Sequence, residues 1–333
     1  MATIRDVARL AGVSAGTVSN VLNRPSYVSA DTRAKVMSAI EELEFIPDQS
    51  SRQFRPGRTR TIGIVAANLH HPFFVDVALG AEQLSRELGL GVVICNSAYD
   101  AVRESQNLDL LVQQKVQGII ISPVDENSSR LDMLRDRGVP MVFVDRVGDD
   151  RNCWSVVVDD RTGGGLGAQH LVASGHRRIA FLGHPERSPK VRQRYLGARE
   201  VINRAPGDIT LELLAAESWT VDAGRAAGAL IAARPRDKRP SAVLCANDML
   251  ALGLTQAVIH AGLRVPEDLA IVGYDDLEWA ELGPVPLTTV AQPRSELGRT
   301  AVEMIVQLIE NPRRGPRANH VTLQPELVVR ESA

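Results

Sequence analysis

TIRDVARLAGVSAGTVSNVLN, residues 3–23, decides how the rest of the chain is read. Ile4, Val7, Ala8 and Ala11 recur at helical spacing, Thr3 stands where an N-cap is needed, and Asp6 falls in the first turn, where a carboxylate favours the helix dipole. Gly12 follows where a left-handed residue turns the chain, Ser14 caps the next helix, and Val18, Val21 and Leu22 supply its buried stripe. Ala8 lets the pair cross closely, where a larger side chain would wedge it apart. The pattern predicts a helix-turn-helix whose second helix presents Ala15, Gly16, Ser19, Asn20 and Asn23 outward. In a DNA major groove, Asn20 matches the two edges of adenine and Ala15 the thymine methyl. Ser19 and Thr17 are short enough for phosphates, with Thr3 and Ser14 beside them. The competing reading is the solvated face of an ordinary αα-hairpin.

Beyond Asn23 a turn-rich link leads to a third helix starting near Ser29, with Val36, Ile40 and Leu43 on one face, enough to close a small core over residues 1–46. PDQSSRQFR, residues 47–55, is then stopped by Pro56 and Gly57 and spans about two helical turns. A helix that short is marginal in water, so residues 47–60 read as a hinge that orders against a partner or DNA. Arg52, Arg55, Arg58 and Arg60 make it basic.

At 333 residues the chain is too long for one typical core, and its 44% hydrophobic and 23% charged residues suit a globular protein of several domains. No apolar run approaches the roughly 18 residues of a membrane span, and the N-terminus reads as a capped helix rather than an export signal, so a cytoplasmic location is expected. The net charge of -2 conceals a basic excess in residues 1–60, with nine Arg/Lys against six Asp/Glu. Cys95, Cys153 and Cys245 are far apart and odd in number, which predicts core thiols rather than disulfides or metal ligands.

From Thr61 the character changes to apolar runs alternating with helical stretches: TIGIVAA, GVVICN, GIIIS, PMVFVD, SVVVD, RIAFLG, SAVLCAND and LAIVGYDD. Runs that are apolar throughout predict parallel strands covered on both faces, an α/β core with ligands at the carboxyl ends of the strands. RTGGGLGA, residues 161–168, fits a dinucleotide fingerprint only loosely and is better explained by close helix packing. His70, His71 and His176 read as loop or capping residues. No catalytic residue, metal ligand set or cofactor site is expected, and the chain is not read as an enzyme. An exported sugar-binding protein would account for residues 61–333 but not for the first 60.

IRDVARLAGVSAGTVSNVLN, FIPDQSSRQFR, GHRRIAFLG, CANDMLALG, GLRVPEDLAIVGYDD and PLTTV occur in that order, and with them the chain resembles the LacI/GalR family of bacterial transcriptional regulators over essentially its full length. The resemblance implies a repressor that binds a near-palindromic double-stranded operator as a homodimer, with hinge helices meeting in the minor groove. It also implies a periplasmic-binding-protein-like core, residues 61–333, of two doubly wound halves joined by crossings near 159, 290 and 320. The N-half would comprise about 61–158 plus 291–319 and the C-half about 159–290 plus 320–333. A small-molecule effector, a sugar or sugar derivative, would lie in the cleft between them. The family pattern matches Phe73, Phe74, Asp145, Arg194, Trp219, Asn247 and Asp275 here, a set suited to a polyol, with carboxylates for hydroxyl donors, Arg and Asn for oxygens, and aromatic faces for apolar sugar patches. Each also has a plainer role: Asn247 as an N-cap, Trp219 as core filling, Asp145 and Arg194 as surface charges. In the hinge, Phe54 stands where the family carries a wedging leucine, and Ser51 where alanine is common.

Overall fold

The computed structural model describes residues 2–23, 27–45, 60–125, 128–146, 153–311 and 320–333. The N-terminal unit is α1 (Ile4–Leu10), α2 (Ala15–Asn23) and α3 (Ala30–Glu42). Thr3 caps α1 in a full capping box, its backbone N–H donating to Asp6 Oδ2 at 2.9 Å while its hydroxyl accepts from the Asp6 amide. Gly12 has φ +65, the left-handed turn that the sequence demands, and Ser29 caps α3. Val7, Ala8, Val18, Val21, Val36 and Ala39 are buried together, so the three helices share one small core.

The remainder is built on two six-stranded sheets. The first takes β1 (Thr61–Ala66), β2 (Gly91–Asn96), β3 (Ile119–Ile121), β4 (Met141–Val144), β5 (Trp154–Val158) and, much later, β11 (His320–Leu323). Its order is β11-β5-β4-β3-β1-β2, parallel throughout. The second takes β6 (Arg178–Leu182), β7 (Thr210–Leu214), β8 (Ala242–Cys245), β9 (Ala270–Asp275), β10 (Thr288–Ala291) and β12 (Glu326–Val328). It repeats the same winding, β12-β10-β9-β8-β6-β7, with only the β10–β12 pairing antiparallel. The helices between strands, among them α5 (Ala101–Gln113) and α6 (Ser129–Asp136) in the first half and α9 (Val221–Ala232) and α11 (Trp279–Leu282) in the second, explain why the central strands are buried along their length, as Ile119–Ile121, Met141–Val144 and Ala242–Cys245 are. β7 is an exposed edge strand and β11 and β12 are short and half polar, so none of the three carries the continuous apolar signal of the central strands. All three cysteines are buried, and none forms a disulfide.

The chain crosses between halves three times. After β5 it enters α7 (Asp160–Ala173), which packs on the second sheet. After β10 it enters α12 (Arg294–Glu310), which packs against α4 (Pro72–Glu87) on the first. The third crossing falls between β11 and β12, which corrects the expected boundary at 320: residues 320–323 pair in parallel with β5, and His320 Nδ1 lies 2.7 Å from Ser155 Oγ, so this strand belongs to the first half. The second half resumes at Glu326.

Candidate functional site

In the N-terminal unit, Ser14 Oγ accepts from the Thr17 amide at 3.0 Å and lies 2.9 Å from the Thr17 hydroxyl, fixing the first turn of α2. Thr3, Ser14, Gly16 and Asn20 are exposed, and Thr17 and Ser19 are half-buried. Ala15 is less outward than expected, since it packs partly against the three-helix core. Gly16 has no steric reason to be glycine, because a Cβ there meets only Ser14 Oγ at 3.6 Å. A helical glycine costs about 0.5–1 kcal/mol relative to alanine. A glycine on this exposed face leaves room for close approach by another surface. The Asn23 side chain and residues 46–59, which include Arg52, Phe54 and Arg55 of the hinge, lie outside the described residues.

All seven residues matched by the family pattern in the core line one cavity of about 350 Å³ between the two halves, a size usual for a small-molecule site. Strand order explains the convergence. Each doubly wound sheet opens a crevice at the carboxyl ends of its strands, and the two crevices face each other. From the first half come Phe73 and Phe74 in the first turn of α4, edge to face with centroids 5.1 Å apart, and Asp145 directly after β4. From the second come Trp219 after β7, Asn247 capping α10 (Asp248–His260), Asp275 ending β9, and Arg194 on α8 (Pro189–Arg204). Asp145 and Asp275 end topologically equivalent strands, and both have positive φ, +65 and +112. Such backbone is costly for a non-glycine residue and concentrates at functional sites.

Asp145 and Arg194 are not the surface charges that the plainer reading allows, since each is only 4% exposed. Arg194 is held on three sides. Its Nε donates to Asp160 Oδ1 at 2.7 Å, its Nη1 to the Ala246 carbonyl at 2.6 Å, and its guanidinium stacks 3.6 Å from the centre of the Tyr274 ring. The Tyr274 hydroxyl donates to the same Asp160 oxygen at 3.3 Å. Burial depresses the Arg194 pKa, but Asp160 chiefly, with Tyr274 and Asp275, outweighs it and keeps the group charged. The glycines of RTGGGLGA make this possible. A Cβ on Gly164 would lie 1.9 Å from the Arg194 carbonyl, and one on Gly163 2.2 Å from the Tyr274 hydroxyl. That run is therefore a close-packing device that seats the α8 arginine over the cleft.

Asn247 keeps its capping role, Oδ1 accepting from the Leu250 amide at 3.0 Å, which turns its Nδ2 towards the Trp219 carbonyl and His71 Nε2, both at 3.2 Å. His71 also caps a helix, its Nδ1 accepting from the Phe73 amide at 3.3 Å. Neutral His71 then carries its proton on Nε2, so two N–H donors face one another across the halves. An acceptor oxygen to one side of the pair, in reach of both, satisfies them. Burial lowers the His71 pKa below 6.5 against the pull of Asp275, whose Oδ2 lies 3.7 Å away. Gln292 follows β10 and donates from Nε2 to Asp275 Oδ1 at 2.6 Å. Asp275 Oδ2 and Gln292 Oε1 are buried and accept no hydrogen bond. Two buried acceptors without a hydrogen bond, on residues that line the cavity, are costly in a bare protein and suit hydroxyl groups.

His71, Gln292, Tyr99, Ser122, Arg146, Arg187 and Lys190 also line the cavity and were not singled out as site residues from the sequence. His71 was legible only as a cap, which it is. Gln292 had one available signal, its place directly after PLTTVA at a strand end. Tyr99 has positive φ, and burial first, then the charge of Asp145, pushes its hydroxyl up to about 12. Among the described residues no cluster of three or more His, Cys, Asp or Glu has metal-site geometry, and no helix is long and apolar enough to cross a membrane.

Residues 3–48 match the family model "Bacterial regulatory proteins, lacI family", and residues 168–333 match "Periplasmic binding protein-like domain". The ribose operon repressor of Escherichia coli K12 is 36% identical, covering 100% of both chains. Among solved structures, a lac repressor dimer bound to operator and the anti-inducer ONPF superimposes with TM-score 0.85 at 31% identity, covering 99% of this chain and 98% of that one. A regulator from Enterococcus faecium with bound ribose gives TM-score 0.73 at 28% identity, over 82% of this chain and 98% of that one.

Proposed function

Because the chain belongs to the lacI family of bacterial regulatory proteins, we propose that it represses transcription as a cytoplasmic homodimer on a near-palindromic operator, under control of a sugar or sugar derivative bound between the core halves. The observation that carries the effector reading is the cleft itself, where seven pattern residues from both halves meet and the buried acceptors of Asp275 and Gln292 lack donors. Asp145, Arg194 and Asp275 anchor the ligand; Asn247 supplies an N–H; Phe73, Phe74 and Trp219 cover its apolar faces. The solved relatives named above support both arms of the reading, one bound to operator and one to ribose.

On DNA, α2 enters the major groove. Asn20 reads a base edge, Gly16 with Ala15 allows close approach, and Thr3, Ser14, Thr17 and Ser19 meet the backbone, with Asn23 at the end of the reading face. Arg52 and Arg55 of the hinge contact phosphates, and Phe54 takes the wedge position in the minor groove. The protein acts as a regulator and not as an enzyme. Its halves are joined by three segments, so closure over a ligand alters their angle, and with it the spacing of the two hinges in a dimer. Coupling of this kind is reciprocal: operator must shift effector affinity by the factor by which effector shifts operator affinity.

The test is a gel-shift assay with the full-length chain on duplexes drawn from a randomised palindrome selection, followed by calorimetry against sugars, sugar phosphates, nucleobases and nucleosides. A selected palindromic site released or tightened by a sugar is the expected result. Failure to select any site refutes the repressor. A nucleobase response without any sugar response refutes the polyol while leaving the regulator intact.

A further inference from the structure

Lys190 is the second residue of α8 and sits four residues before Arg194, so both side chains project from one face of the helix into the cleft. A cation in the first turn opposes the helix dipole, so Lys190 is not placed there for the helix. Its Nζ crosses to the other half and forms an ion pair with Asp145, while lying 5.3 Å and 6.0 Å from the ring centres of Phe73 and Phe74. One oxygen of this carboxylate, Oδ2, is thus already answered by an ammonium. Arg146, the next residue after Asp145, and Arg187, just before the α8 cap, line the same cavity, Arg187 also pairing with Glu217 at 2.8 Å. The lining therefore carries Arg146, Arg187, Lys190 and Arg194 against Asp145 and Asp275.

The acceptors without a hydrogen bond lie elsewhere, on Asp275 Oδ2 and Gln292 Oε1. Lys190 answers Asp145 and Arg194 lies 3.9 Å from Asp275 Oδ1, so each carboxylate has its own cation and the lining keeps a cationic excess. Resting on the sugar reading above, we propose that the effector is an anionic sugar, its hydroxyls donating to Asp275 and Gln292 and its phosphate or carboxylate received by Lys190, with the positive end of α8 behind it. Lys190 determines specificity. An anion entering beside Asp145 shares the ammonium's remaining N–H groups, a charge-assisted contact that a neutral sugar has no group to make.

Calorimetry with the full-length chain would compare ribose, ribose 5-phosphate, ribonate and inorganic phosphate, each for the unaltered protein and for Lys190→Met. The expected result is that ribose 5-phosphate or ribonate binds at least tenfold tighter than ribose, inorganic phosphate binds weakly or not at all, and Lys190→Met brings the ratio of Kd values towards one. The two anions distinguish a phosphate from a carboxylate pocket. Ribose binding as tightly as both anions overturns the inference while leaving the sugar reading in place. A Lys190→Met variant that binds ribose tighter without a change in the anion ratio also overturns it, since the ammonium then only plugs Asp145. No binding of any sugar, charged or neutral, overturns both. Thermal melting of Lys190→Met in parallel establishes that the variant is folded, and Lys190→Arg, which keeps the charge, should retain the anion preference.

Discussion

Replacing Asp275 by asparagine isolates the ligand contribution of one carboxylate with little change in shape. Asp275 is 2% exposed, its Oδ1 accepts from Gln292 at 2.6 Å, and its Oδ2 has no hydrogen-bond donor. Asparagine preserves the volume, tolerates the positive φ of +112 better than alanine does, and keeps an oxygen for Gln292. The variant loses the attraction of Arg194 Nη1, 3.9 Å from Oδ1, an ion pair worth about 4 kcal/mol at an effective dielectric of 20 before desolvation is subtracted. It also sheds the cost of holding a charge in this buried place, and the repulsion that helps raise the pKa of the wholly buried Asp248. These terms oppose, so the melting temperature should move by only a few degrees. Ligand affinity has no such compensation. A hydroxyl donating to a charged acceptor contributes about 1.5–3 kcal/mol, so Asp275→Asn should weaken sugar binding by about 10- to 150-fold. Calorimetry on the full-length protein with the sugar that binds best is the assay. An affinity within about threefold of the unaltered protein, with the fold intact, would show that Oδ2 does not meet the ligand and would misplace the site.

Asn20→Ala should cost about 1–3 kcal/mol on an operator carrying the contacted adenine and much less where that base pair is changed; equal losses on both by gel shift would mean that Asn20 reads no base. Gly16→Ala should leave thermal stability unchanged or slightly raised yet reduce operator affinity, and unaltered DNA binding would remove the close-approach role. Gly164→Ala puts a methyl 1.9 Å from the Arg194 carbonyl and should destabilise by about 1–3 kcal/mol in denaturant melts while weakening sugar binding, because α8 must shift. His71, whose pKa is lowered by burial, binds fewer protons folded than unfolded once pH falls below 6.5, so its contribution is complete above that value and declines below it. The stability advantage of the unaltered protein over His71→Gln should therefore shrink between pH 7 and pH 5, and a constant difference would refute the assignment.

Why some of this was legible from the sequence and some not follows from the range over which each signal acts. The helix-turn-helix is local: Thr3, Asp6, Gly12, Ser14 and the Val18–Val21 stripe each act within a turn or two of chain, so spacing alone predicts their roles. The central strands other than β10, whose Thr288 and Thr289 break the apolar run, are legible for a related reason, since burial on both faces leaves the same apolar run wherever the neighbours come from. β7 escaped because an edge strand exposes half its residues, and β11 because its membership in the first sheet depends on pairing with Ser155–Val158, 165 residues earlier. In the cleft, Asp145, Asn247 and Asp275 carry a strand-end signature, but Lys190 and His71 do not. Their significance arises only when two halves that share no local sequence face one another, bringing Lys190 to Asp145 and His71 to Asp275. The same argument explains RTGGGLGA. Its spacing suggested a nucleotide turn only weakly, and what requires those glycines is the backbone of α8 and the ring of Tyr274, 30 and more residues away. Close approach by distant chain leaves no periodicity to read. It leaves only a cluster of residues without side chains, whose purpose becomes visible once the Arg194 guanidinium is seen stacked on Tyr274 and aimed across the cavity.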